Sequence, residues 1–549
     1  MDRELFEHHM TSRHGQGRRR DDAAVGVAGT RVCGDVVRLA LALDDDGQRI
    51  AQLGWEADAC GATIASLSAV AELVEGMEAL DVARLGAHDV ADQLGGLSPG
   101  KFHAAELVAD ALARALGTAL RERGAIPAPT LAPVATGTDG GRSRGAGASR
   151  AAATAPDADG SAPAAGDAAS RAAATASGAD GPAPAAAPRT RTLIAMSGGV
   201  DSAVAALLAS RDGEGDVVAV TLELWADEAN DDERSCCSAQ AVRHARALAH
   251  RMGLPHLTLD LRAEFRAGVV DPFLDDHRNG LTPNPCVRCN GHVRLDAMLE
   301  LADRVGAATL ATGHYARVEH GAGGADTPLL RAAVDAWKDQ TYMLAALAPA
   351  SLARLRFPLG GLTKPQVRAI AADADLPVAS KADSQDLCFL AGTTRGDFLA
   401  RHAGIAERPG EIVDTDGHVL GRHLGHHGYT VGQRRGLGVA GPEPLYVLRT
   451  DATKNQVVAG TRAQLQTSSV AVRGARLHRD GARVDRVKLR YRAKPLPAKL
   501  VGDPAAGSHR RLEIALEHPV DGAAPGQMAC LMDGDVVIGW ATIDRPVPA

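Results

Sequence analysis

Ser197-Gly198-Gly199-Val200-Asp201-Ser202 packs two glycines, two hydroxyls and a carboxylate into six residues. Glycine lets a backbone approach a ligand closely. Successive main-chain N–H groups at a helix N-terminus favour an anion. The chemistry this suits is the holding of a nucleotide pyrophosphate; a plain tight turn is the alternative. No lysine follows, so this is not the G-x-x-x-x-G-K-[ST] loop. Thiols offer a second chemistry. Cys286 and Cys289 form C-x-x-C, Cys388 lies in DSQDLCFL, and Cys236 and Cys237 are adjacent. A C-x-x-C serves zinc, a redox dithiol or two ligands of a cluster. The adjacent pair reads equally well as buried small apolar residues.

These residues need elements to position them. TRTLIAM reads as a buried strand entering the glycine loop, and AVAALLAS as the helix leaving it. DVVAVTLELW, SAQAVRHARALAHRMG and HLTLDL continue as strand, helix and strand. That alternation implies a parallel, doubly wound α/β sheet. Beyond about Gly396, short alternating strands broken by Gly, Pro and Asp imply β-rich, barrel-like domains. Upstream, residues 125–189 are almost wholly Ala, Gly, Pro, Ser, Thr and Asp, which cannot bury enough apolar surface to order a chain. Before them, VVRLALAL and RIAQLGWEA flank the turn DDDGQ, and TIASLSAVAELVEG and FHAAELVADALARALGTALRER are helical. The expected layout is an α+β module at 24–124, a disordered linker at 125–189, an α/β domain at 190–395, a small central domain at 396–465 and a β-barrel domain at 466–549.

A chain of 549 residues is too long for one core. Eight cysteines in that length exclude a disulfide-stapled mini-domain. No apolar run reaches the roughly 18 residues of a membrane span, and the polar N-terminus shows no secretory signal. A cytoplasmic protein without membrane association is expected. The formal net charge is −7, yet residues 421–500 hold 16 Lys and Arg against four acids, a net of +12. Such a segment suits a phosphate backbone or a solvated β surface. Tyr491 inside it offers a stacking face.

SGGVDS resembles the SGGxDS motif of PP-loop ATP pyrophosphatases, which cleave ATP between the α- and β-phosphates. AMSGGVDSAV, TPNPCVRCN, ATGHYARV, KDQTYMLAAL, DSQDLCFL and YTVGQRRGLG then occur in the order of the MnmA-type tRNA-specific 2-thiouridylases. The resemblance covers about 190 to 549. It implies a PP-loop domain, a central domain, a C-terminal barrel, and thiolation of the wobble uridine in tRNAs for Lys, Glu and Gln. It places ATP at Ala195, Met196, Ser197, Gly198, Gly199, Val200, Asp201 and Ser202, with Leu222 and Gly313 beside it. Mg²⁺ would neutralise the phosphates. Cys289 matches the catalytic cysteine and Cys388 the persulfide carrier. Asn284, Pro285 and Cys286 match the base-holding segment. Lys338, Asp339, Gln340, Arg490, Tyr491, His314 and Gln527 match positions concerned with tRNA. Many members carry Asp where this chain has Cys286. Cys286, Cys289 and Cys388 are therefore three thiolates able to hold a [4Fe–4S] cluster with one open iron. Persulfide and cluster-bound sulfide remain competing sulfur sources; zinc would be left with an incomplete ligand set.

GTRVCGDVVRLAL, ADACGATIASLSAVAEL and LGGLSPGKFHAAELVADAL resemble the U-type iron–sulfur scaffold domain of IscU and NifU. Cys33, Asp35, Cys60 and His103 match its ligands, for zinc or an iron–sulfur site, while Ala104 stands where the third cysteine is expected. Fusion through a tether gives a high effective concentration, so the module is expected to serve thiolation by handling sulfur or iron, or by docking a donor such as a cysteine desulfurase or relay protein. Two other classes share parts of the pattern: a PP-loop amidotransferase or ligase, and an iron–sulfur assembly protein without tRNA activity.

Overall fold

The computed structural model describes residues 2–29, 34–122, 191–211, 216–227, 239–320, 327–383, 387–405 and 407–545. The segment 125–189, Cys33, Cys236 and Cys237 lie outside the described residues.

The first module is an antiparallel sheet of β1 (Ala24–Gly29), β2 (Val36–Leu43) and β3 (Ile50–Asp58). The helices Gly61–Val74 and Phe102–Glu122 follow it. Gly26 lies so close to the second helix that a Cβ there would meet the Ala111 carbonyl at 2.1 Å. β2, β3 and both helices match the sequence reading. A helix at Arg3–Ser12 and the strand β1 are additions to it. The helix carries only a narrow apolar stripe, Phe6 and Met10, which packs on Ala65, Ala69 and Leu94. β1 is short and glycine-bearing, so neither gave a strong periodic signal.

After the linker come β4 (Arg191–Ala195), β5 (Val217–Glu223), β6 (His256–Asp260), β7 (Ala307–Ala311), β8 (Arg317–Glu319), β9 (Leu329–Arg331) and β10 (Leu355–Arg356). Five of them form a parallel sheet in the order β10-β7-β4-β5-β6. β5 is buried throughout, as expected of a parallel strand covered on both faces. The chain leaves β4 toward β5 and β6, then returns to β7 on the other side of β4. The carboxyl ends of β4 and β7 thus define the switch point, where open α/β sheets bind ligands.

The central domain holds β11 (Gly410–Val413), β12 (Val419–His423), β13 (Tyr446–Asp451) and β14 (Gln456–Gly460), in the order β12-β11-β14-β13. The last domain holds β15 (Gln466–Leu477), β16 (Arg486–Lys488), β17 (Leu496–Leu500), β18 (Gly507–Asp521), β19 (Met528–Asp533) and β20 (Val536–Ile543). Pairing of β15 with β20 closes these six into a barrel. β8 and β9 extend the same sheet: Arg331 and Leu330 pair with Val536 and Val537. The α/β domain therefore lends two strands to its neighbour.

The helix Phe102–Glu122 is also shared. One side packs on β1 and β2, and the other meets β6, where a Cβ on Gly117 would lie 2.0 Å from the Thr258 carbonyl. That two-sided burial explains an alanine-rich helix that is apolar nearly all round. Buried ion pairs fasten it: Arg246 to Asp110 at 2.6 Å, and Arg114 Nε to both Glu223 oxygens at 3.0 Å. Among the described residues, no helix is long and apolar enough to cross a membrane.

Candidate functional site

The loop Ser197–Ser202 leaves β4 at the switch point and enters the helix Val200–Arg211. Gly198 has φ +68°, a conformation that favours glycine. The Ser202 hydroxyl donates to the Gly199 carbonyl at 3.0 Å and accepts from the Ser197 N–H at 3.1 Å, which fixes the turn. The space at Gly199 is open except for the Ser197 hydroxyl, 3.6 Å from where a Cβ would stand. Such a cradle fits phosphate oxygens. Met196 is buried and donates its N–H to Val220. Leu222 is buried at the carboxyl end of β5. Gly313, just past β7, packs on the same helix start: a Cβ there would meet the Ser202 nitrogen at 2.8 Å. Ala195 to Ser202 and Gly313 are thus brought together.

The chain has only eight lysines among its 60 basic residues, and three of them converge beside this loop. Lys381 donates to the Gly198 carbonyl at 3.0 Å. Lys364 bridges Asp201 at 2.6 Å and Asp383 at 2.8 Å, and Lys338 also reaches Asp383. Burial alone would push the Asp383 carboxyl up, but hydrogen bonds from Lys338 and Lys364 outweigh it and hold it below its ordinary value. Tyr315 donates its hydroxyl to Asp201 at 2.8 Å. Sequence reasoning had not assigned Lys364, Lys381, Asp383 or Tyr315. The scarcity of lysine was the available signal, because a compact ammonium suits a point contact with phosphate where the chain otherwise spends arginine.

The thiols occupy short elements. Asn284 caps the helix Pro285–Cys289, its side chain accepting from the Val287 N–H at 3.3 Å, with Pro285 at the first turn. The i, i+3 spacing puts Cys286 and Cys289 on neighbouring positions of one turn. Cys289 is buried, while Cys286 and Cys388 are half-buried. Cys388 opens the short helix Cys388–Leu390. Cys286, Cys289 and Cys388 do not gather to within 4.8 Å, the spacing at which other trios among the described residues do. A single ion needs that convergence; a polynuclear cluster spreads its ligands over several irons. Cys530 takes no part: burial pushes its thiol up to about 12, so it stays protonated.

The barrel grips this segment. Gln527 donates to the Thr282 carbonyl at 2.9 Å and to the Pro283 carbonyl at 3.2 Å, and the Thr282 N–H donates to Pro525 at 2.8 Å. Tyr342 donates to the Met528 carbonyl at 2.8 Å. Asp339 is buried against Lys488 at 2.9 Å, and Gln340 accepts the Tyr315 N–H at 2.9 Å. In the K-D-Q segment, then, Asp339 and Gln340 are held inside, and Lys338 joins the network at the loop. Burial raises the Tyr491 hydroxyl, and the Arg492 guanidinium lies over its ring, 5.9 Å from the ring centre. Arg490 is exposed, its guanidinium near Gly432. His314 is pushed down to about 3 by burial and by Arg294, and its neutral ring shares a 2.8 Å hydrogen bond with Thr312.

In the first module, Asp35, Cys60 and His103 offer ligand atoms within 4.8 Å of one another. Asp35 accepts from the Cys60 N–H at 3.0 Å and the Thr63 hydroxyl at 2.8 Å, with His103 at 3.7 Å. One thiol, one imidazole and one carboxylate form a zinc-type donor set. Ala104 is fully buried and supplies no ligand.

Nucleotide loop, thiol helix and closed barrel define a HUP-type α/β enzyme joined to a scaffold-like module. Family models match accordingly: NifU-like N terminal domain at 2–124, tRNA methyl transferase HUP domain at 190–392, tRNA methyl transferase PRC-barrel domain at 396–461, and Aminomethyltransferase beta-barrel domain at 474–543. The chain is 39% identical over 540 residues to the "Bifunctional protein NifU/MnmA" of Rubrobacter xylanophilus, spanning 98% of this chain and 97% of that one. It therefore belongs to the bifunctional NifU/MnmA family. The "tRNA-specific 2-thiouridylase MnmA" of Solibacter usitatus is 42% identical over 365 residues, covering 62% of this chain and 96% of its own. That of Zymomonas mobilis is 41% identical over 353 residues, covering 63% and 91%.

Proposed function

We propose that this protein is a tRNA sulfurtransferase that thiolates C2 of the wobble uridine in tRNAs of the Lys, Glu and Gln type, at the expense of ATP. The observation that carries the reading is Lys338. It shares Asp383 with Lys364, which reaches Asp201 of the phosphate loop, and its neighbour Asp339 pairs with Lys488 of the barrel at 2.9 Å. Nucleotide site and barrel therefore meet in two adjacent residues.

In this reading the loop N–H groups, the helix start at Val200 and the three lysines hold the ATP phosphates. Mg²⁺ keeps mostly water and phosphate oxygens; Asp201 and Asp383, here paired with Lys364, would be its protein donors, and it would neutralise the phosphates. Uracil O2 attacks the α-phosphorus, the bond to the β-phosphate oxygen breaks, and pyrophosphate leaves. The terminal sulfur of a Cys388 persulfide attacks C2, and AMP departs with O2. The Cys289 thiolate then attacks Cys388 Sγ, releasing 2-thiouridine and leaving a Cys289–Cys388 disulfide for an external dithiol to reduce. A second sulfur source is favoured by Cys286. With Cys289 and Cys388 it completes a three-thiolate set that would hold a [4Fe–4S] cluster supplying a bound sulfide. The first module serves the same reaction by handling sulfur or iron for it, or by docking the sulfur donor.

The test is AMP release from ATP with and without tRNA, on protein purified anaerobically and assayed for iron and zinc. AMP release that depends on tRNA and fails in Cys388→Ser supports the reading. Release without tRNA points to a ligase, and none under any condition to an assembly protein. Cys286→Asp that still thiolates without iron would remove the cluster from the mechanism.

A further inference from the structure

The chain has four tryptophans. Trp55 and Trp225 are buried and Trp540 is half-buried, but Trp337 is 89% exposed. Its neighbour Val334 is 54% exposed. In a chain with 3% aromatic residues, a displayed indole is conspicuous. Its backbone is firmly held. One Asp335 oxygen accepts the N–H groups of Trp337 at 3.0 Å and Lys338 at 3.2 Å. The other accepts the Lys364 N–H at 2.9 Å. Lys364 in turn bridges to Asp201 of the phosphate loop. On the flanks, the Ala332 N–H donates to Asp535 of the barrel, and Ala333 to Asp339. The indole is thus shown to solvent from a turn braced against both the nucleotide site and the barrel.

From this geometry we infer that Trp337 is a stacking platform for an unpaired base of the tRNA. The inference rests on the function proposed above and adds a binding residue to it. An indole carries no charge, so it reads a π-face rather than a phosphate, and every base offers one. Single-stranded bases in loops are the ones that unstack onto aromatic side chains. Lys338, the next residue, reaches Asp383 beside the phosphate loop, so the indole is displayed next to a cation of the nucleotide site. A pinned backbone removes the ordering cost that a mobile tryptophan would carry on binding.

The experiment measures binding of an unmodified glutamate-type tRNA transcript to the full chain, wild type against Trp337→Ala and Trp337→Phe, across a salt series. Expected is a Kd weakened roughly 5- to 150-fold in Trp337→Ala, an unchanged salt slope because no phosphate contact is lost, and near-wild-type binding in Trp337→Phe. ATP affinity should stay unchanged in both. Wild-type Kd in Trp337→Ala, while the wild type binds and thiolates tRNA, overturns this inference and leaves the proposed function standing. A wild type that binds no tRNA overturns both. A Trp337→Ala change in oligomeric mass with unaltered tRNA binding assigns the indole to a second copy of the chain and also overturns it.

Discussion

The α/β domain has two junctions, and they are built differently. Toward the first module it relies mainly on side chains: the helix Phe102–Glu122 lies on β6, and Asp110, Arg246, Arg114 and Glu223 pair across the seam, with one main-chain bond from the His256 N–H to Ala83. Toward the barrel it adds strand pairing to side-chain contacts: β9 adds to β20, and the Thr282 N–H binds Pro525 beside the Asp339–Lys488 pair. Backbone pairing fixes register to a fraction of a residue, whereas a helix held by ion pairs fixes only a face. The residues nominated for sulfur and tRNA chemistry lie along the second junction. The first also reaches the nucleotide side, through Glu223 beside Leu222 at the end of β5 and through Arg246 of the helix Ala239–Arg251, whose Ala241 carbonyl lies 3.3 Å from where a Cβ on Gly198 would stand. In the proposed function the second junction carries the chemistry and the first docks the module.

The largest test of that contrast is Asp110→Ala. It leaves Arg246 buried without its partner, and stability should fall by about 3–5 kcal/mol, read by denaturant unfolding. If the seams are separate, thiolation by the surviving folded protein falls much less; a matching collapse of both would merge them. Gln527→Ala is smaller in energy but sits on the catalytic seam. Freeing two carbonyls of the 282–283 segment should cost about 1–2 kcal/mol, and thiolation should drop at unchanged ATP affinity. Unaltered thiolation would deny the barrel a positioning role. The smallest effect concerns pH. The depressed Asp383 carboxyl contributes stability above its unfolded value and loses it as pH falls through the folded one. Folding stability should therefore hold at neutral pH and weaken only as pH falls below the ordinary aspartate value of about 4. Asp383→Asn should reduce that acid step, as followed by denaturant unfolding across the pH range.

Local pattern explains what was legible. Ser197 to Ser202 bind one another within the loop, and Asn284-Pro285 is a cap followed by a first-turn proline, so both announce themselves in sequence. The strand β5 reads as a nearly continuous apolar run because both of its faces are covered. Lys364 and Lys381 were silent: their partners Asp201 and Gly198 lie far away in sequence. Asp339 and Gln340 were matched to tRNA contacts because their partners, Lys488 and the Tyr315 N–H, also lie outside any local pattern.

The sequence by itself determined the chemistry on offer, namely a phosphate loop, a C-x-x-C with a distant third thiol, and a basic C-terminal segment hidden under a net charge of −7. Those depend on residue type and short spacing. Only the tertiary structure decided that two strands of the α/β domain belong to the barrel sheet, that the alanine-rich helix serves two sheets, and that three lysines face one loop. Each of these is a pairing of remote segments, set by which surfaces bury one another, and no local periodicity encodes it.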